Sequence, residues 1–399
     1  MVTVTEATDI IFSNLHHPRI EKIPLQRSVN RVLAEVTKAD RDFPPFDRVS
    51  MDGIAVNYQA IKDGVRKFPI EFVQAAGNPK ATLNSGTSCV EVMTGAILPG
   101  HTDTVIKYED LEIKNNVAHL IEEKVEAGQN VHRKGIDCKQ NDVLLEPGIL
   151  LSAAEVALLA SIGKTQVQVF EMPKTAIISS GDELVDVKDV PLLHQIRRSN
   201  TYAIEAGMQM LNWQARQFHF PDDESLLKNS LEKVLADHDV LILSGGVSKG
   251  KFDFIPRVFE DLGVKKLFHQ VKQRPGKPFW FGASVQGKTV FALPGNPVST
   301  YMCFYRYVKP WIMRSMGVSE KRLSAALATD FSFSPNLTYF LQVDVKTENG
   351  KLQAYPNAGG GSGDFVNLKN VTGFLELPAE QDQFKAGDVF PYYPFRNYL

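Results

Sequence analysis

Cysteine is scarce: three residues, Cys89, Cys138 and Cys303, are scattered over 399 positions without metal-ligand spacing. That pattern excludes a disulfide framework and a zinc ribbon, fits a reducing compartment, and reads most simply as buried structural thiols. No excess of one charge is present either, since 44 Lys and Arg face 46 Asp and Glu for a formal net charge of -2. A general nucleic-acid or membrane-surface binder carries a basic excess, so neither partner is expected. Long apolar runs are missing: the most apolar stretch, Ile149 to Gly163, is too short to span a bilayer and contains Glu155. The segment MVTVTEATDIIF has no basic region leading into an apolar core and cleavage site, so the expected location is cytoplasmic. Internal repeats and low-complexity tracts are absent, and the Gly359-Gly-Gly-Ser-Gly363 run is short enough to be a mobile loop.

What is there divides into blocks. Thr3 to His16 reads as an amphipathic helix with Thr3 and Glu6 at capping-box spacing, Ser28 to Asp40 as a second short helix, and Ser152 to Ser161 as a third. Residues 1–41 and 147–172 are therefore expected to pack together as a helical linking domain. Between them, residues 42–146 carry short β-like runs (Glu71 to Ala75, Ser88 to Met93, Asp103 to Tyr108, Val117 to Val125) separated by Gly, Pro and Asn turns, an inserted β-rich domain. Residues 173–318 alternate strands with helical periods: strands Thr175 to Ser180, Gln214 to Phe220, Asp239 to Leu243, Lys266 to Val271 and Val290 to Leu293, and helices Thr201 to Leu211, Glu224 to Ala236, Phe254 to Leu262 and Pro297 to Arg314. Such alternation predicts a mostly parallel, doubly wound α/β sheet with its ligand at the carboxyl ends of the strands. Residues 319–399 read as a small C-terminal β-barrel or sandwich, with an Asn349-Gly350 hairpin signal.

Chemistry collects where the α/β strands end. The run Phe291-Ala-Leu-Pro-Gly-Asn-Pro-Val-Ser299 takes an apolar strand through a stiff turn, Pro294, Asn296 and Pro297, into a helix whose first N–H groups have no helical partner; Ser299 lies in its first turn. Upstream, Lys272-Gln-Arg-Pro-Gly-Lys-Pro278 brings Lys272, Arg274 and Lys277 on a second Pro/Gly loop, so the two read as an anion cradle. Ser179-Ser-Gly-Asp-Glu-Leu184 offers Ser179, a close-approach glycine at Gly181, and the carboxylates Asp182 and Glu183, unless these are solvated acids of an ordinary turn. Ser244-Gly245-Gly246-Val-Ser248 can hold a phosphate or diphosphate, and Asp253 either holds Mg2+ on that phosphate or caps the following helix. Asn200 is an N-cap first and a base or phosphate contact second.

Together and in this order, SSGDEL, SGGVSKGKFDF, RPGKPFWFG and LPGNPVS resemble the motifs of the MoeA/gephyrin family, the molybdopterin molybdenumtransferases. In the β-rich block, Phe46-Asp-Arg-Val-Ser-Met-Asp-Gly-Ile-Ala55, Met93-Thr-Gly-Ala96 and Arg133-Lys-Gly-Ile-Asp137 are similar to the family's FDNSxMDGYA, MTGA and RxxGED segments, and the likeness covers nearly the whole chain. The resemblance implies a four-domain chain with a MogA-like α/β module, assembled as an elongated homodimer in which Asp52 and Thr94 complete the other subunit's cleft, with Arg133 and Asp137 as further contacts. It also implies the reaction: adenylylated molybdopterin and molybdate are converted, with Mg2+, to molybdenum cofactor and AMP, downstream of a molybdopterin adenylyltransferase. In that scheme Asp253, Glu183, Asp52 and Lys277 would be catalytic, and Asp182, Glu183 and Asp253 would hold the metal. Three departures stand out: Arg274 replaces the frequent Lys, Arg48-Val49 replaces Asn-Ser, and Ile136 replaces an acid. A non-catalytic scaffold of gephyrin type and a nucleotide-hydrolysing enzyme on the same α/β module are the rival readings, and tungstate is close to molybdate in size and charge.

Overall fold

The structure, a computed structural model, describes residues 1–247, 254–318 and 322–396. The chain forms two compact units, one of residues 1–34, 147–156 and 166–399, the other of residues 35–146 and 157–165.

In the larger unit a six-stranded sheet runs in the order Ala215–Phe220, Thr175–Ser180, Val240–Ser244, Thr289–Leu293, Trp280–Ser284, Val264–His269. The first four strands are parallel and the last two pair antiparallel. Side chains alternate between two cores, as the period of two requires. Ile177, Ile242, Phe291 and Leu293 pack with Ile204, Met208, Met302, Phe304 and Trp311, while Ala176, Ile178, Leu241 and Leu243 pack with Leu227, Leu231, Val258 and Phe259. The sheet is thus covered on both faces. The helix expected from Pro297 to Arg314 runs from Pro297 to Ser315 but contains a π turn at Phe304–Val308. That turn immediately precedes Lys309 and Pro310, where a missing N–H disturbs regular helical bonding. The C-terminal strands Leu323–Leu327, Thr338–Glu348, Lys351–Pro356, Gly373–Leu377 and Val389–Pro394 close on themselves into a five-stranded barrel around Leu341, Val343, Leu375 and Tyr392.

The smaller unit is built on a six-stranded sheet in the order Thr104–Lys107, Gly53–Val56, Cys89–Val92, Lys67–Gln74, Val117–Leu120, Leu111–Lys114. Ile54 and Val56 face one apolar cluster and Ala55 the other.

The first helix is present at Val4–Phe12, with Thr3 and Glu6 bonded reciprocally as a capping box. Two expectations need correction. Ser28 to Asp40 is not helical: Asn30 has a φ of 60, and the N–H groups of Asn30, Leu33 and Ala34 bond to the carbonyls of Leu151, Ile149 and Gln168. Its β-branched residues Val29, Val32, Val36 and Thr37 suit this extended path better than a helix, so the linking segments around Ile20–Pro24 and Gln166–Phe170 are joined by strand pairing rather than helix packing. The strand Trp280–Ser284 was not expected and makes that edge of the sheet antiparallel. Among the described residues no helix is long and apolar enough to cross a membrane.

Candidate functional site

The carboxyl ends of the parallel strands converge because register carries them there: Ser179 lies opposite Ser244, and Ser244 opposite Leu293. The loops that follow surround a cavity of about 600 Å³. Ser180, Gly181 and Glu183 form one wall, Gly245 and Gly246 the next, Arg274 to Pro278 a third, and Pro294 to Asn296 with Ser299 the fourth. A second lobe of about 280 Å³ shares Ser180, Glu183, Gly245 and Asn296 with the first and continues to Ser179, Asn200, Ser244 and Pro297.

Each wall has a physical reason for its residues. Gly245 and Gly246 have φ values of 102 and 69, and a Cβ on Gly246 would lie 2.3 Å from Ile255 Cδ1. The backbone therefore bends here without side chains and can approach an anion closely. The Arg274–Pro275 peptide is cis, and the loop is closed by the Val271 N–H donating to the Lys277 carbonyl at 3.0 Å. Arg274 sits over the Phe333 ring at 5.7 Å, and both it and Lys277 are exposed at the cavity wall. Ser180 Oγ donates to Asp222 Oδ1 at 2.6 Å, and the Asp222 N–H donates to Asp182 Oδ1 at 3.3 Å, so three acids cluster around the Gly181 turn. Next to it Ser179 Oγ is 3.0 Å from His219 Nδ1, and burial lowers the pKa of that imidazole.

The structure redraws some expected roles. Asn200 caps nothing: Ser199 is the N-cap, and Asn200 Nδ2 donates to Ser244 Oγ at 2.8 Å and to the Gly295 carbonyl at 2.7 Å, tying two loops together. The helix start at Pro297 offers fewer donors than its sequence implies, because the Val298 N–H is taken by the Ser362 carbonyl. Lys272 lies outside the cavity and donates to Asn336 Oδ1 at 2.7 Å. Ser248 and Asp253 lie outside the described residues. In the smaller unit Asp52 accepts the Thr94 N–H at 2.6 Å, which is the chief cause of its lowered pKa. Arg133 donates to Asp47 and to the Asp103 carbonyl, and Asp137 meets His132 Nε2 at 2.9 Å.

Sequence reasoning missed Asp222, whose signal was a Pro-Asp-Asp run closing a strand, and Ser362, which sits in the glycine run read as a mobile loop. Ser362 instead lines the cavity and accepts from Asn296 Nδ2 at 2.8 Å. Magnesium takes oxygen ligands, one or two carboxylates together with substrate phosphates, and Glu183, Asp182 and Asp222 are a donor set of that kind. Among the described residues no group of three such side chains is arranged to hold an ion by itself. The fit is that of a metal brought with a phosphate.

Three family models match the chain in series: MoeA N-terminal region (domain I and II) over residues 2–163, probable molybdopterin binding domain over 176–314, and MoeA C-terminal region (domain IV) over 324–395. A relative from Synechocystis sp. named molybdopterin molybdenumtransferase is 41% identical over 397 residues, covering 98% of this chain and 100% of that protein. One of the same name from Staphylococcus aureus strain COL is 30% identical over 399 residues, covering 97% and 94%. The solved structure of a molybdopterin biosynthesis moeA protein from Pyrococcus horikoshii OT3 superposes with a TM-score of 0.83 at 26% identity, over 98% of this chain and 100% of that one. With full-length similarity and a loop-lined cavity at the carboxyl edge of the α/β sheet, the chain belongs to the MoeA family of molybdopterin molybdenumtransferases.

Proposed function

We propose that the chain is an enzyme of molybdenum cofactor biosynthesis that inserts molybdate into the dithiolene of adenylylated molybdopterin, with cleavage of the diphosphate and release of AMP. The observation that carries this reading is the meeting of Arg274 and Lys277 with the bare backbone of Gly245 and Gly246 and the Glu183 and Asp222 carboxylates in one cavity. Molybdate is a tetrahedral dianion, and the two cations supply what it needs. The Arg274 fork gives planar, two-point contact and Lys277 a compact charge. The glycine bend receives the diphosphate because its bare backbone lets phosphate oxygens come close, while the Gly245 N–H itself is held by the Leu293 carbonyl at 3.2 Å. Glu183, with Asp182 and Asp222, would hold Mg2+, and the ion would neutralise charge on the phosphates as the link breaks. Asn200 keeps the Ser244 and Gly295 loops in register while this happens.

The same reading includes a homodimer in the cytoplasm whose Asp52 and Thr94 act in the partner's cleft, with Arg133 and Asp137 supporting that edge, and a molybdopterin adenylyltransferase supplying the substrate. The four-domain division, with boundaries near residues 41, 146, 172 and 318, belongs to it as well. A non-catalytic scaffold is disfavoured because the cavity keeps its cations and carboxylates. A nucleotide hydrolase on the α/β module alone is disfavoured because family models also match the flanking regions. The test is to incubate the protein with adenylylated molybdopterin, Mg2+ and molybdate and to follow AMP. Release only in the presence of molybdate is expected, and metal insertion without AMP overturns the reading.

A further inference from the structure

The loop that carries Arg274 and Lys277 is held from below by a buried polar side chain that the reaction scheme leaves without a role. Gln273 is fully buried, and its two amide atoms are both engaged: Nε2 donates to the Gly276 carbonyl at 2.9 Å, and Oε1 accepts from the Tyr307 hydroxyl at 2.5 Å. Gly276 has a φ of 89 and no room for a side chain, since a Cβ would lie 2.9 Å from Gln273 Nε2 and 3.0 Å from Cys303 Sγ. The loop therefore closes over Gln273 and rests on Tyr307. Tyr307 is also fully buried, and it belongs to the π turn Phe304–Val308 of the helix whose first residues, Pro297 to Ser299, begin at the opposite cavity wall.

The π turn matters to this contact. One inserted residue rotates every later side chain by about 100° around a helix of 3.6 residues per turn. With the turn as it is, Tyr307 reaches Gln273 while its neighbour Arg306 reaches Glu376 and Thr8. The same helix therefore fixes one wall of the cavity with its N-terminus and the facing wall through Tyr307 and Gln273.

We infer that Gln273 and Tyr307 form a positioning clamp that sets the Arg274 to Lys277 loop against the Pro297 helix start, and that the clamp determines how well the cavity takes up a tetrahedral oxyanion. The inference rests on the reading of this cavity as the molybdate site. Gln273 belongs to the cavity lining but is fully buried with its amide turned to Gly276 and Tyr307, and Tyr307 lies outside the lining, so neither presents a catalytic group. Removing the hydroxyl leaves the buried Gln273 Oε1 unpaired, and the amide is then free to turn away from the Gly276 carbonyl. The loop then has to be ordered by the anion itself, which weakens binding without touching the groups that act on the bound substrate.

The experiment compares wild type, Tyr307→Phe, Gln273→Leu and the double variant by direct molybdate binding in calorimetry, by the molybdate dependence of AMP release, and by thermal unfolding. Tyr307→Phe keeps the ring and its packing, so it serves where Gln273→Leu does not fold. The expected result is a rise of about tenfold in the molybdate dissociation constant for Tyr307→Phe, the equivalent of one hydrogen bond of about 1.4 kcal/mol, with the rate at saturating molybdate changed less than about twofold. In the double variant the losses should not add, because both changes break one unit. Variants that lose thermal stability yet bind molybdate as wild type does would overturn the clamp while leaving the site assignment intact. Wild type that shows no molybdate binding would overturn the site assignment and the clamp with it.

Discussion

Removing the Lys277 ammonium is the sharpest test of how the cavity divides its labour. Lys277 stands on the Arg274 to Pro278 wall and is exposed, with no ion-pair partner among the described residues. A unit charge about 4 Å from one charge of a bound dianion gains about 4 kcal/mol at an effective dielectric near 20. An exposed ammonium keeps only part of that, because water and salt screen it, so a charge-assisted contact of about 1.5 to 3 kcal/mol is the working figure. Lys277→Ala should then raise the half-saturating molybdate concentration by about 10- to 150-fold, while the rate at saturation stays within about threefold of wild type. Lys277→Arg should recover most of the loss, and the gap between wild type and Lys277→Ala should narrow as ionic strength rises. The assay is AMP release from adenylylated molybdopterin over a molybdate titration. Glu183→Gln provides the contrast: if its carboxylate serves the phosphate end, the maximal rate should fall by about 10² to 10³ and excess molybdate should not restore it. A titration in which high molybdate rescues both variants, or neither, refutes the division of ligands between the two walls.

Three further outcomes can be checked on folded protein without substrate. Gly53 lies in a strand paired on both sides, and a Cβ there would sit 1.9 Å from the Ile106 carbonyl oxygen and 2.8 Å from Lys107 Cα, both backbone atoms. Gly53→Ala should therefore cost about 3 kcal/mol or more in urea unfolding of the full chain, and a loss below about 1 kcal/mol would show that the strands separate easily. Arg306 is buried and donates to Glu376 Oε2 at 2.9 Å, so Arg306→Met should cost about 3 kcal/mol by removing the charged partner of a half-buried carboxylate that keeps the Tyr393 hydroxyl at 2.7 Å, with part of it regained in Arg306→Met, Glu376→Leu. Burial lowers the His219 pKa below its ordinary 6.5, so the unfolded chain takes up this proton first as pH falls. The stability linked to His219 is complete above the ordinary value and is lost as pH falls through the folded one, so melting temperatures read from about pH 7.5 to 5 should fall less steeply in His219→Asn. His16, whose pKa burial also lowers, keeps part of the slope in that variant.

Local chemistry that acts through one segment was legible in the sequence. The capping box at Thr3 and Glu6, the buried Thr175–Ser180 and Thr289–Leu293 strands and the Pro/Gly turns all formed where their residue types call for them. Ser28 to Asp40 misled because Val29, Val32 and Val36 have a spacing that also fits a helix, while the carbonyl partners of the Asn30, Leu33 and Ala34 N–H groups lie more than a hundred residues away in sequence. Ser362, Asp222 and Gln273 were not legible as site residues for a related reason. Each matters through a distant partner, Asn296, Ser180 or Tyr307, and no local spacing encodes that meeting. The role of Asn200 shows the same limit, since its helix-start position is local and its bonds to Ser244 and Gly295 are not.

The position of the cation loop depends on the strand that periodicity failed to reveal. If the sheet were parallel throughout, each chain connection after a strand would have to cross back over a face, and a short loop between neighbours could not occur. Trp280–Ser284 is antiparallel to both Val264–His269 and Thr289–Leu293. Two reversals restore direction, so Val264–His269 points the same way as Thr289–Leu293, and the short connection from His269 to Trp280 lies at the carboxyl edge. Arg274 and Lys277 are on that connection, and the Pro294 to Ser299 turn leaves the same edge two strands further along the sequence. The five residues Trp280–Ser284 therefore do more than extend the sheet. By returning the chain between the two loops, they allow cations and the helix start to face one cavity from the same edge, two strand places apart, which neither loop could achieve through its own residues.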